Sequence, residues 1–217
     1  MDDKAFDLWA ASYEKSVIQS DQKGEYPFAG YQQLMSSLMD LVQRQGGSRL
    51  LDLGLGTGLL AKQLYDLGYA ITGIDFSEKM LTLAREKMPQ ARLVQHDLSL
   101  GLPSILTEAS FDIILSTYAL HHLKDQDKAN LIRNLVPLLS PGGVIMIGDI
   151  AFPSWKDLEA CRAGTSEWDD EEYYWVMEEM GPLLSDHQVS FQVISHCAGI
   201  LLIRPSVDKA GKDKIND

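Results

Sequence analysis

From Ser48 onward, apolar runs alternate with amphipathic stretches along the chain. Arg49 to Leu53, Ala70 to Asp75 and Ala91 to His96 read as strands, with Leu59 to Leu67 and Ser77 to Met88 between them as helices of mixed apolar and polar faces. The rhythm continues with Phe111 to Thr117 as a fourth strand, Lys124 to Leu139 as a helix and Gly143 to Asp149 as a fifth strand, introduced by the turn Ser140-Pro141-Gly142-Gly143. This βαβ alternation predicts an α/β fold around a parallel sheet. Ser77 is placed to cap its helix, because a hydroxyl there can accept from the orphan amides of the first turn.

After Asp149 the rhythm breaks. Ala151 to Asp186 holds no strand pattern and carries the run Trp168-Asp169-Asp170-Glu171-Glu172-Tyr173-Tyr174-Trp175, which reads as part of a helical insertion. Asp169 to Glu172 reads as the solvated start of a helix rather than a metal site, since adjacent acids suit a helix N-terminus and point in diverging directions. No metal is expected. Val189 to His196 and Gly199 to Arg204 predict an antiparallel hairpin at the sheet edge. Upstream, Asp2 to Tyr13 and Tyr31 to Gln45 read as two helices joined by a loop holding Gly24, Pro27 and Gly30. The expected organisation is one domain over residues 1–204: an N-terminal helical segment (1–45), a core (48–150), a helical insertion (151–186) and a terminal hairpin (187–204). Residues 205–217 read as a disordered polar tail.

Composition narrows the function. The 217 residues are 45% hydrophobic, ordinary for one packed domain, and the formal net charge of -12 opposes a nucleic-acid partner, because no dense Lys/Arg cluster lies outside the tail. No run approaches the roughly 20 apolar residues of a membrane span, and Met-Asp-Asp-Lys lacks a signal-peptide pattern, so a cytoplasmic setting without a membrane partner is expected. Cys161 and Cys197 show neither metal-ligand nor redox spacing and are expected as free thiols.

The candidate chemistry lies at Leu51-Asp52-Leu53-Gly54-Leu55-Gly56-Thr57-Gly58, where a strand passes through glycines into a helix and its N-terminal amides can face a ligand. A dinucleotide fingerprint needs a third small residue five positions after its first glycine; here that place is Leu59. Asp52, near the end of the strand, opposes a diphosphate and favours a ligand ammonium. Asp75 ends the second strand, where a carboxylate can accept from ribose hydroxyls, and Asp97 follows the third, suited to an adenine amino group. The fourth strand runs into Ser116-Thr117-Tyr118-Ala119-Leu120-His121-His122-Leu123, which brings a phenol and imidazoles to the same edge.

Together these residues resemble the class I S-adenosylmethionine-dependent methyltransferases over roughly residues 48–150. Phe6 to Tyr13 looks like that family's N-terminal helix over the cofactor, and the last hairpin like its reversed final strand. The arrangement is most similar to small bacterial YrrT-like proteins. The resemblance implies a Rossmann-like, doubly wound, seven-stranded, mostly parallel sheet with an antiparallel last strand, an N-terminal helical lid and a helical insertion before the hairpin. It implies S-adenosylmethionine as cofactor, S-adenosylhomocysteine as product, and a small-molecule methyl acceptor. By residue, Asp52 and Gly54 flank the methionine end, Asp75 binds the ribose, Phe76 and Met80 cover the adenine, and Asp97 with Leu98 reads its amino edge. Gly56, Thr57, Gly58 and Ser116 join the cofactor set, Tyr13, Tyr26 and Tyr31 are lid contacts, and His122 and Tyr118 are candidates for proton removal. Two alternatives stay open: a non-catalytic S-adenosylmethionine-binding module and an NAD(P)-dependent oxidoreductase.

Overall fold

Alternation along single strands divides the core into two layers. In the computed structural model, which describes residues 17–106 and 110–206, the elements in chain order begin with the helical residues 17–23 (α1). They continue with α2 (Tyr31–Gln45), β1 (Arg49–Leu53), α3 (Leu59–Asp66), β2 (Ala70–Asp75), α4 (Glu78–Lys87), β3 (Arg92–Gln95) and β4 (Phe111–Thr117). Then come α5 (Asp125–Leu135), β5 (Leu139–Phe152), α6 (Trp155–Ala163), β6 (Trp175–Val176), α7 (Met177–Leu183), β7 (His187–Val193) and β8 (Ala198–Pro205). β1 sends Leu50 to one face and Leu51 and Leu53 to the other, β4 opposes Ile113 and Leu115 to Ile114, and β5 opposes Val144 and Met146 to Ile145 and Ile147. Successive side chains of a strand point to opposite faces, so a strand apolar throughout needs a cover on each side.

Helices supply both covers. Leu34, Leu38 and Val42 of α2, Leu60 and Leu64 of α3 and Leu81 of α4 pack on the first face; Ala129, Ile132 and Leu135 of α5 and Met180 of α7 pack on the second. α2 sits so close to the sheet that a Cβ on Gly148 of β5 would come within 2.6 Å of Leu34 and 2.7 Å of Leu38.

The main sheet runs β3-β2-β1-β4-β5-β8-β7. β1 to β5 are parallel, whereas β8 is antiparallel to both β5 and β7. Strand order reverses between β1 and β4, so the loops that follow these two strands diverge and leave a crevice at their carboxyl ends. This is the expected fold class, with the two-residue β6 added alongside the end of β5, where Trp175 pairs with Ala151.

Several boundaries differ from those predicted. α5 stops at Leu135 and tightens into a 3-10 turn, Val136–Leu138, because Pro137 has no amide to continue the ladder. β5 begins at Leu139, and Pro141 to Gly143 form an irregularity within it, where the register to β4 jumps from Phe111↔Leu139 to Ile113↔Val144. Residues 17–23, expected as loop, are helical. Asp169 to Glu172, expected as a helix start, is a turn followed by extended chain. The helix expected over Asp2 to Tyr13 and the tail beyond Ser206 lie outside the described residues.

Candidate functional site

The glycine turn is locked by the strand beside it. Gly54 and Leu55 donate their amides to the Ile74 carbonyl at 2.8 and 3.0 Å, and Gly56 donates to Asp75 Oδ2 at 2.7 Å. Gly54 has φ +70°, which side-chain-bearing residues rarely adopt, and a Cβ there would lie 2.2 Å from that of Ala119 after β4. Gly58 opens α3 in the left-handed region without a side-chain cap, and a Cβ on it would meet Met88 at 2.7 Å. Gly58 therefore packs α3 against the end of α4 and does not line the crevice.

The crevice is a cavity of about 540 Å³, within the roughly 300–1,000 Å³ of small-molecule sites. Of the residues predicted to form the site, the fold brings Tyr31, Asp52, Gly54, Gly56, Thr57, Asp75, Phe76, Met80, Asp97, Leu98, Tyr118 and His122 to its lining, together with Tyr26. Ser116 is elsewhere: it is 1% exposed and its hydroxyl donates to the Leu53 carbonyl at 2.8 Å, so it ties β4 to β1. Tyr13 lies outside the described residues.

Asp52 is 2% exposed and its Oδ1 has no hydrogen-bond partner. Burial, reinforced by the charge of Asp75, pushes its pKa up to about 8. A carboxyl so placed at a cavity wall is electrostatically incomplete, and a cationic group would complete it. Asp75 differs from expectation in that both oxygens already hold backbone amides, Oδ2 that of Gly56 and Oδ1 that of Ser77 at 2.9 Å. The Phe76 amide also bears on this carboxylate, and since each of its oxygens has two lone pairs, capacity remains for a donor from the cavity. Burial still holds the Asp75 pKa above the ordinary range against the pull of those amides. Asp97 Oδ1 accepts from Ser99 N at 2.8 Å and caps the short 3-10 turn Leu98–Leu100. Ser77 caps α4 as predicted, accepting from Met80 N at 3.2 Å, and so fixes Met80 at the cavity.

After β4 the chain turns sharply at Tyr118, whose φ of +47° is the only positive value at a non-glycine among the described residues. Such a backbone stores roughly 1–3 kcal/mol and persists where neighbours over-determine it. Here the Tyr118 amide donates to the Gly148 carbonyl at 2.9 Å, and its ring packs 5.3 Å from Phe28 and 5.4 Å from Tyr31.

The two histidines that follow are each held by a carboxylate. His121 Nδ1 lies 2.6 Å from Asp149 Oδ1, and His122 Nδ1 lies 2.9 and 2.7 Å from the two oxygens of Glu172, with the rings 4.2 Å apart. Burial works to lower the His121 pKa, but the charge and hydrogen bond of Asp149 outweigh it and hold it above the ordinary histidine value. Burial likewise opposes the Asp149 charge, but His121, the Ile150 amide and Lys128 outweigh it and hold Asp149 low. Asp149 is a buried hub: Oδ2 also accepts from the amides of Leu120 and His121 and from Trp175 Nε1. Lys128, fully buried, bonds Asp125 at 2.8 Å and the Tyr173 carbonyl and lies 4.9 Å from the Trp175 ring centroid, linking the same cluster to the insertion.

Ligating atoms of His121, His122 and Glu172 lie within 4.8 Å of one another. Both Glu172 oxygens face His122 Nδ1, and a carboxylate only accepts, so the arrangement suits proton handling. Sequence reasoning missed Glu172, Asp149 and Tyr174. Asp149 carried a signal, because it ends its strand run as Asp75 ends its own; Glu172 carried none, because its partner lies 50 residues away.

A family described as "Methyltransferase domain" matches residues 50–143. An uncharacterized methyltransferase of Geobacillus thermodenitrificans (strain NG80-2) is 34% identical over 193 residues, covering 85% of this chain and 87% of the relative. One of Anoxybacillus flavithermus (strain DSM 21510 / WK1) is 36% identical over 159 residues, covering 73% and 71%. Among solved structures, the DhpI-SAM-HEP complex superposes with a TM-score of 0.66 at 17% identity, covering 93% of this chain and 95% of that one. Magnesium protoporphyrin IX methyltransferase (ChlM) from Synechocystis PCC 6803 with bound SAH gives 0.62 at 19% identity, covering 82% and 84%.

Proposed function

The chain belongs to the methyltransferase family, and from that premise we propose that its cavity binds S-adenosylmethionine and that a methyl group is passed to a small-molecule acceptor. One observation carries the reading: Asp52, buried and with Oδ1 unpartnered, faces a cavity beside a glycine turn. That combination fits a ligand with an ammonium at one end and a nucleoside at the other better than it fits a dinucleotide, whose diphosphate offers no cation to complete Asp52.

The residues then divide as follows. Asp52 and Gly54 hold the amino-acid end, Gly56 and Thr57 line the turn, Asp75 takes ribose hydroxyls with its remaining lone pairs, and Phe76, Met80, Asp97 and Leu98 enclose the adenine. Tyr31 lies over the ligand from α2. S-adenosylmethionine, when bound, supplies an electrophilic methyl carbon on a sulfonium. This chain's own part is mainly positioning, since holding two reactants in line can lower a barrier by roughly 7–11 kcal/mol. Where the acceptor must lose a proton, His122 takes it on Nε2, because Glu172 keeps the ring's other proton on Nδ1. Tyr118 is the second candidate. Burial raises the pKa of both thiols, that of Cys197 to about 12, so neither is a nucleophile here. Cys161 and Cys197 are free thiols, and no helix among the described residues is long and apolar enough to cross a membrane.

Calorimetric titration of S-adenosylmethionine and S-adenosylhomocysteine, with NAD as control, tests the proposal on wild type and Asp75→Ala. Micromolar binding of the first two, weakened in the variant and absent for NAD, is expected. Binding of NAD alone would favour the oxidoreductase, and binding without turnover on any acceptor would favour a non-catalytic module.

A further inference from the structure

The insertion supplies one wall of the cavity through Glu167, Asp169, Glu172 and Tyr174. With Asp52, Asp75 and Asp97 from the strand ends, six carboxylates line the cavity, and no Lys or Arg does so among the described residues. An S-adenosylmethionine ammonium answers the unpartnered Asp52, and the ribose and adenine answer Asp75 and Asp97. Nothing in that cofactor calls for the acids of the insertion wall. An anionic acceptor would meet them as like charges, at a cost that grows as water is excluded.

The same wall is aromatic. Tyr26 stacks on Trp168 at 4.8 Å, its hydroxyl meets that of Tyr174, and Tyr174 donates on to the Asp169 carbonyl at 3.0 Å, so the rings are fixed. Burial raises the pKa of both tyrosines, with the charges of Asp169 and Glu172 adding to it, so the rings stay neutral. Neutral aromatic faces beside carboxylates favour a cation with an apolar body.

We propose that the methyl acceptor is a small amine with an apolar body, taken from solution as its ammonium ion by Glu167 and Asp169 against the faces of Tyr26 and Tyr174. This rests on the methyl-transfer reading above. The ammonium gives one proton to His122 Nε2 while Glu172 retains Nδ1–H. The nitrogen lone pair then forms the new N–C bond as the carbon–sulfur bond of the sulfonium donor breaks, with its electron pair staying on sulfur. The product leaves as an N-methylammonium ion and a neutral thioether. His122, whose side chain is 31% exposed, returns its proton to water.

The test uses the full chain. S-adenosylhomocysteine is first titrated calorimetrically, and its release from S-adenosylmethionine is then followed with phenethylamine and cyclohexylamine against phenethyl alcohol and 3-phenylpropionate. Turnover with the amines alone is expected. In the double variant Glu167→Gln, Asp169→Asn the amine KM should rise about tenfold, the scale of one lost charge-assisted contact, with S-adenosylhomocysteine affinity within about twofold of wild type. Both residues are exposed, and the asparagine keeps the Oδ1 that accepts the Glu171 amide at 2.9 Å, so the variant retains the fold. Preference for the alcohol or the carboxylate, absence of amine methylation, or an amine KM unmoved by the double variant would each overturn the proposal while leaving S-adenosylhomocysteine binding intact. Failure to bind S-adenosylhomocysteine would overturn the methyl-transfer reading itself, and this proposal with it.

Discussion

Glu172 holds His122 by both carboxylate oxygens, at 2.9 and 2.7 Å from Nδ1, across 50 residues of sequence. The contact orients the ring and fixes its tautomer, leaving Nε2 as the acceptor. His122→Ala is expected to lower kcat about a hundredfold, the ordinary scale of general-base assistance, with S-adenosylmethionine affinity retained. Glu172→Gln should cost about tenfold, since the imidazole remains but its orientation is weaker. Steady-state kinetics beside titration separates the two parameters; an unchanged kcat in His122→Ala would remove the histidine from proton transfer.

Asp52 makes cofactor binding a proton-linked event. With its pKa at about 8, the carboxyl is mostly protonated at pH 6.5 in the free protein. An incoming ammonium favours the ionised form and expels that proton. Calorimetry at pH 6.5 in buffers of different ionisation enthalpy should therefore report proton release, lost in Asp52→Asn. The sign for stability also follows. A carboxyl whose folded pKa is raised favours the fold fully below its ordinary value of 3.8, and that contribution is lost as pH rises through about 8. Chemical denaturation of the unliganded protein across this window should show a downward slope that the Asn variant flattens.

Two glycines separate backbone strain from collision. Gly24 and Gly54 have φ of +66° and +70°, but a Cβ on Gly24 meets nothing within 4 Å, while one on Gly54 meets Ala119 at 2.2 Å. Gly24→Ala should cost about 1 kcal/mol in thermal or denaturant unfolding, the price of a left-handed alanine. Gly54→Ala should cost at least about 2 kcal/mol more and abolish cofactor binding. Equal losses in the two variants would show that the turn yields.

Asp149 should dominate the stability of the histidine region. It accepts from the amides of Leu120, His121 and Ile150, from Trp175 Nε1 and from His121 Nδ1. Asp149→Ala is expected to destabilise by about 3–5 kcal/mol, as breaking one side of a buried pair does. The pair is also pH-bounded. The His121 contribution is present below the ordinary histidine value and lost as pH rises through its raised pKa; that of Asp149 is present above the ordinary carboxylate value and lost as pH falls through its depressed one. The difference in unfolding free energy between wild type and Asp149→Asn at pH 3, 6 and 9, in which the Asp52 slope cancels, should peak at the middle value, and a flat difference would count against an ionised pair.

The parts of the site that could be read from the sequence are those fixed by neighbours in the chain. Asp52, Gly54 and Asp75 announce themselves because a strand, a glycine turn and a following helix are local patterns, and Ser77 caps α4 for the same reason. Ser116 was legible in place but not in direction, since strand ends turn alternate side chains to opposite sides and its hydroxyl meets Leu53. Glu172 was opaque: four consecutive acids look solvated from the sequence, and only the return of the chain beside β5 turns one of them toward His122. The short pairing of Trp175 with Ala151 that guides this return is too brief to leave a periodic trace.

The insertion wall is fastened at both ends, by Arg162 to Asp170 at 2.6 Å and by β6 to the end of β5. The acids it offers to the acceptor, Glu167 and Asp169, are exposed and belong to neither hydrophobic layer of the core. Acceptor choice and foldability are thereby written in different residues. A lineage could exchange the charges on this wall, and with them its diet of substrates, while the sheet that carries the methyl donor went on folding as before.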